Sequence, residues 1–592
     1  MVFNKKESLK FLTNDLLKLI INILKLIRLY QFVPILKKYE KKFVYPLSLK
    51  KWPKGIPTEM LQNGVQYDPS GYYNNDFCIS KMGKVRSFLF GKEILYGTLL
   101  NGQPEYDLSN MMGHGKVTVP LCLPGSKFRD LSIITDSKKT KLEIMECAKW
   151  KYFTFPKSCK SVKISSEESK IILGEPIFHE KISKKSGHPK CVILVVVDSL
   201  SQLVFERKQE APLMPNTFRF FEAGRSFSNN HAQGEHSISN NTNMLTGRYT
   251  SNHGLYRTEN IVNIAKSDDV VLCKEDDHND AIKLRKEIPL ISEVFRNSGY
   301  LTFAANGSYK IHPFYQFTRG FDRFLFYASE YQDREIINDA VEQIKTFPER
   351  NHFLYLNLMA VHATNIPAWS FSSEVNCDIE NRARLKGTGK IIRPYEHSMV
   401  MRYRAMIKDT DNHLKQLYDL LESNYEKDDV VVCLTGDHGV TYLADDEYLL
   451  ADALTNTPLF VRSPGIKPGN DHSLVQSIDI FPNLLHLCNI DMPKIKTDGK
   501  LWSVLGENKR DYVLTESIFK SKYELKIRDK TFTYGLKCSV ENDCINLKGV
   551  SKKFWKISKE DKYEKKEIGC ESQYFGEFDK IAMKHISAIK EL

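Results

Sequence analysis

The sequence predicts an α/β fold: a mainly parallel sheet with helices on both faces, preceded by a small β-rich module and followed by a small C-terminal subdomain. Three observations carry this. First, KCVILVVVDS is a continuous apolar run ending in Asp198, as a strand buried on both faces does. Second, further apolar runs (YLTFAAN, FLYLNLMAVH, DVVVCLTGDHG, PLFVRSPG) alternate with helical stretches after it, the order that builds a parallel sheet covered by helices. Third, the texture differs on either side. Residues 45–187 hold short alternating stretches such as KVTVPLCL, LSIITD and KYFTF between Gly, Pro, Ser and Lys clusters, a pattern of strands and turns. The tail from 507 returns to strand-like pieces, YVLTES and KKFWKIS among them.

These shifts divide the chain into a basic amphipathic leader (1–44), a β-rich N-terminal module (45–187), the α/β domain (188–506) and a C-terminal subdomain (507–592). The 592 residues exceed one core, and 42% hydrophobic content is enough to bury several. In residues 8–29, Asn14, Asp15, Lys18, Asn22, Lys25 and Arg28 recur every three or four positions, which puts them on one face of a helix. A spanning helix needs ~20 mostly uncharged residues, and a secretory signal an unbroken apolar core. Neither pattern is present. The segment reads either as a peripheral contact with an anionic membrane or as a helix packed on protein. The expected location is the cytoplasm, membrane-peripheral in the first reading. The formal charge of +12 fits acidic partners. Without a basic stripe interleaved with aromatics, nucleic acid is not expected among them. The twelve cysteines show no CxxC pair and read as reduced thiols.

In such sheets ligands bind at the carboxyl ends of the strands. Asp198, His362, Asp437 and His438 all follow apolar runs at that end. In TGDHG (435–439) a carboxylate and an imidazole are adjacent, half of a divalent metal site, and Asp198 is the natural further carboxylate. Gly439 is expected to permit a tight turn. On its own the Asp-His pair is common. The placement of Asp198 in the same domain is what favours a metal.

The stretch HSISNNTNMLTGRYTSNHG (236–254) makes a resemblance specific. LTGRYTSNHG is similar to the signature segment of the sulfatase-like branch of the alkaline phosphatase superfamily. Other blocks resemble the family in order over roughly residues 188–565: PNTFRFFEAGRSFSNNHA, ISEVFRNSGYLTFAANG, RGFDRF, FLYLNLMAVHATNIP with His362, the helix around Asp411, PLFVRSPG, SIDIFPNLLHLCNI and DGKLW. The resemblance implies an alkaline phosphatase/sulfatase-like fold. Counting back from Thr246 by the family's spacing, it implies a nucleophile at Ser237, bound to one divalent ion (Ca, Mg, Mn or Zn) together with Asp198, Asp437 and His438. It implies that His362 acts in catalysis, and that Arg248, Lys310, His312 and Asn240 bind substrate.

Two departures matter. Formylglycine sulfatases carry Pro and Arg two and four residues after the nucleophile; here Ser239 and Asn241 stand there. Those enzymes also show paired Asp residues after the first strand; here Ser199 follows Asp198. The expectation is therefore a metal-dependent hydrolase of sulfuric or phosphoric esters using an unmodified, metal-bound serine, acting on a sulfated or phosphorylated glycan or lipid. The alternatives are a phospho-group transferase on glycans or lipids, and a non-catalytic glycan-binding member.

Overall fold

A computed structural model describes residues 82 and 85–589, less 91, 113, 125–127, 137, 147–148, 168, 181–187, 207–211, 256–283, 309, 312, 328–331, 363–396, 444–449, 507–508, 520–521 and 542–543. The leader, its segment 8–29 and His312 therefore lie outside the described residues. Among the described residues no helix is long and apolar enough to cross a membrane.

The strand Cys191–Val197 is the centre of the molecule, and every one of its side chains is buried. Its Val and Ile side chains suit a strand because branching at Cβ fits the pleated surface. Each buried one stabilises by about 1.5–3 kcal/mol as an upper estimate. Parallel strands flank it on both sides, His352–Leu358 and Val430–Gly436. The register pairs Val197 with Leu358 on one side and with Gly436 on the other. The residues that follow these three strand ends, Asp198, Met359 and Asp437, thus leave the sheet side by side. The parallel set continues outward through Leu301–Asn306 and Arg323–Phe326. On the opposite flank Asn456–Arg462 runs antiparallel to Val430–Gly436, and Arg225–His231, antiparallel to it, returns to the central direction, so the whole sheet is mixed around a parallel centre.

The N-terminal strands divide. Glu93–Asn101 pairs antiparallel with Arg323–Phe326 and so carries the main sheet onward through Lys170–Gly174 and Val117–Cys122, to fifteen strands among the described residues. The remainder, Tyr106–Asp107, Val162–Ser166, Phe128–Thr135 and Lys138–Glu146, form a separate four-stranded sheet. An aliphatic cluster that includes Val117, Val119, Leu131, Ile133 and Ile164 packs the two sheets together. Near the C-terminus five antiparallel strands run as a meander from Val513 to Glu567. The helix Phe575–Ser587 seats Phe578 and Ala582 in their core. The cysteines at 122, 159, 191, 433, 488, 538, 544 and 570 are free thiols.

Candidate active site

Asp198 is fully buried at the end of the central strand, its N–H donating to the Leu358 carbonyl at 2.8 Å. Ser199 then turns the chain with φ 66°, a left-handed conformation unusual for a residue with a Cβ. Three hydrogen bonds hold it there. Its N–H donates to Asp437 Oδ1 at 3.0 Å, its hydroxyl to Asp198 Oδ1 at 2.8 Å, and its carbonyl accepts from the Tyr403 hydroxyl at 2.7 Å. Ser199 thus occupies the position of the family's second aspartate as a donor that orients both carboxylates.

Ser237 opens the helix Ser237–Thr246, preceded by His236 in extended conformation. Its hydroxyl donates to Asp198 Oδ2 at 2.9 Å and lies 3.3 Å from His438 Nε2. The His438 Nδ1 atom sits 2.8 Å from the Gly439 carbonyl, which can only accept, so Nδ1 carries a hydrogen and Nε2 is the atom that faces Ser237. Asp437 Oδ1 accepts from the His438 N–H at 2.8 Å. Gly439 is needed for close approach rather than for a left-handed turn: a Cβ there would meet the Ala453 carbonyl at 2.1 Å, and its φ is ordinary.

Ligand atoms of Asp198, Asp437 and His438 lie within 4.8 Å of one another. Two carboxylates, an imidazole with Nε2 turned toward Ser237 and a hydroxyl make a donor set that suits a hard or borderline divalent cation. The electrostatics agree. Burial, then the charge on Asp198, push Asp437 up to about 6 against the pull of His438. Burial also pushes Asp198 up, but His362, His438 and Lys310 outweigh it and hold Asp198 below the usual carboxylate range. Two buried carboxylates in such proximity need positive charge between them. The residues present fit the cation.

The structure brings together Asp198, Ser237, Asp437 and His438, and sets His362 and Lys310 near enough to act on Asp198 electrostatically. Arg248 is not with them. It follows the far end of the ten-residue helix that Ser237 begins, about 15 Å along its axis, and its electrostatic neighbours are Asp498, Arg285 and Glu287. Asn240 turns back, donating to the Gly234 carbonyl at 2.9 Å, while its Oδ1 is buried without a partner. Asp411 accepts from Asn216 and Thr217 at the start of the helix Pro215–Phe221, a structural tie.

Sequence reading missed Asn241. It is fully buried, donates to the Ser237 carbonyl at 2.7 Å and to Asp437 Oδ2 at 3.4 Å, and accepts from the Tyr355 hydroxyl at 2.5 Å. Its place four residues after Ser237, where formylglycine sulfatases carry Arg, was the available signal; nothing local marks Tyr355.

The sheet and this constellation define a protein of the alkaline phosphatase-like fold with a candidate divalent-metal site. Residues 190–490, more than half of the chain, match the family model "Sulfatase", and the chain belongs to that family. It is 25% identical to arylsulfatase K of Gallus gallus over 164 residues, 27% of this chain and 31% of that protein. It is 27% identical to arylsulfatase K of Canis lupus familiaris over 145 residues, 24% of this chain and 27% of that protein. The matches thus span under a third of these relatives' length. A solved structure from Bacteroides thetaiotaomicron, assigned as a sulfatase, shares the fold with a TM-score of 0.50 at 17% identity, covering 68% of this chain and 93% of that one.

Proposed function

We propose that this chain is a divalent-metal-dependent hydrolase of sulfuric or phosphoric esters with Ser237 as its nucleophile. The observation that carries the reading is the Ser237 hydroxyl, held at a helix N-terminus between Asp198 Oδ2 and His438 Nε2. The cation, held by Asp198, Ser237, Asp437 and His438, would lower the pKa of the hydroxyl and draw off charge developing on the transferred group. The chain's own residues supply the rest. Asp198 Oδ2 accepts the hydroxyl hydrogen and fixes the lone-pair direction of Oγ. Asn241, pinned by Tyr355, holds the Ser237 backbone to Asp437. The N-terminal dipole of Ser237–Thr246 favours negative charge at Oγ.

Oγ passes its proton to Asp198 Oδ2 and attacks sulfur or phosphorus, the ester oxygen leaves with a proton from His362, and Lys310 faces the anionic oxygens. Water then gives a proton to His362 and attacks the Ser237 ester, and Oγ leaves with the proton held on Asp198, releasing inorganic sulfate or phosphate and restoring the hydroxyl. The natural substrate on this reading is a sulfated or phosphorylated glycan or lipid. The family membership and the +12 charge support an anionic substrate.

The test is a paired assay of the purified chain, with Ca, Mg, Mn or Zn in turn, against an aryl sulfate and an aryl phosphate. Metal-dependent turnover of one of them, lost in Ser237→Ala, is expected. Turnover that survives both chelation and Ser237→Ala would refute the reading.

A further inference from the structure

Asp333 is a buried carboxylate, 3% exposed, that the mechanism above does not use. It is the first residue of the helix Asp333–Thr346. Its Oδ1 accepts the backbone N–H groups of Met359 at 2.8 Å and Ala360 at 3.2 Å. Its Oδ2 accepts from the Thr410 hydroxyl, 2.9 Å away on the long helix His397–Asn424. Met359 and Ala360 begin the turn that leaves the strand His352–Leu358, and that turn ends at His362, whose N–H donates to the Met359 carbonyl at 3.1 Å. The residue just before it, Leu358, accepts the Asp198 N–H. One carboxylate therefore ties together two helices and the turn that sets His362 beside Asp198.

We propose that Asp333 is a positioning residue for His362, its carboxylate latching the turn 359–362 against the helix His397–Asn424. The proposal rests on the role given to His362 above. The chemistry favours a latch over simple filling. A carboxylate that accepts two backbone N–H groups and a hydroxyl makes charge-assisted bonds, roughly twice as strong as neutral ones. The N-terminus of its own helix adds favourable potential. Burial pushes the acid up to about 6, and the three donors, then His413, pull against that rise. A packing role alone would be met by an apolar side chain. The Asp333 carboxyl is buried at the cost of desolvation, and what it holds is the backbone of the His362 turn.

Asp333→Asn keeps size and shape and removes the charge. In the full chain with metal bound, it is expected to lower kcat about tenfold or more with little change in KM, as a displaced catalytic group does. The deciding experiment is a double-mutant cycle with His362→Ala on the aryl ester that the chain turns over. If Asp333 acts through His362, Asp333→Asn has no further effect once His362 is gone. Full multiplication of the two effects would overturn the proposal, since it would mean a structural role independent of His362. Hydrogen exchange of the peptide 358–362 gives a readout that needs no turnover: protection should fall about tenfold in Asp333→Asn and less in Thr410→Val, which removes one donor only. Unchanged exchange in Asp333→Asn would also overturn it. A His362→Ala enzyme with full activity would remove His362 from the proposed mechanism, and the exchange result alone would then decide whether Asp333 holds the turn.

Discussion

The hydroxyl of Ser237 donates to Oδ2 of Asp198 at 2.9 Å across a separation of 39 residues. The contact exists because the central strand ends at Val197 while the chain that follows returns a helix N-terminus to the same end of the sheet. It joins one of the two carboxylates that the strand pattern announces to the serine that the family spacing selects.

Ser237 should carry its ordinary mass in the purified protein. The frame after it holds Ser239 and Asn241, and both side chains are committed: Ser239 donates to the His236 carbonyl at 3.0 Å, and Asn241 bridges Ser237, Asp437 and Tyr355. Peptide mass spectrometry decides the point. A loss of about two hydrogens at Ser237 would mean an aldehyde and a different first step.

Asn241→Ala should destabilise the chain by about 1–3 kcal/mol, because it removes the acceptor of the buried Tyr355 hydroxyl. It should also weaken metal binding, since Asp437 loses a donor that aims its Oδ2. Thermal unfolding and metal titration calorimetry read the two effects separately. A variant with unchanged stability and unchanged metal affinity would show that the bridge is incidental.

Chelation should lower the melting temperature. A cation that binds only the folded chain stabilises it by about 2.7 kcal/mol at a hundred times its dissociation constant. Scanning fluorimetry with and without EDTA measures the shift, and Asp437→Asn should shrink it. A melting curve indifferent to chelator in the wild type would contradict the metal assignment.

The C-terminal helix gives a pH prediction away from the metal. His585 Nε2 lies 2.9 Å from Glu516 Oε2. Burial lowers the imidazole pKa, but the Glu516 charge and hydrogen bond outweigh it, so the folded value stands above the ordinary 6.5. A raised histidine contributes stability that is complete below its unfolded pKa and is lost as pH rises through the folded one. Burial raises Glu516, while His585 and Ser251 lower it further, so its share is lost only in acid. The stability gap between wild type and His585→Gln should therefore be full near pH 6 and close as the pH is raised. Melting temperatures across that range test it; a gap that widens with pH would reverse the sign.

Much of this was legible in the residues themselves. Asp198 ends an unbroken apolar run and Asp437 follows the apolar strand VVVCLTG, and two parallel strands in register must present their following residues together. The β-rich character of the N-terminal segment was equally plain, but the way its strands divide was not. Whether Glu93 pairs with Leu325 depends on an edge offered 232 positions later, and local periodicity carries no partner information. The same holds for Asn241 and Asp333. Each is an ordinary polar residue until contacts 114 and 26 residues away close around it. Arg248 shows the opposite failure: it sits inside the signature stretch, yet the helix carries it one full length away from Ser237.

The most direct test of the central claim is to catch the transferred group on Ser237. The metal-loaded chain would be mixed briefly with an aryl phosphate or an aryl sulfate, quenched in acid and digested. The account predicts a gain of about 80 Da confined to the peptide that contains Ser237, absent from Ser237→Ala and absent after chelation. Sustained turnover of either ester with the group trapped on another residue would contradict it.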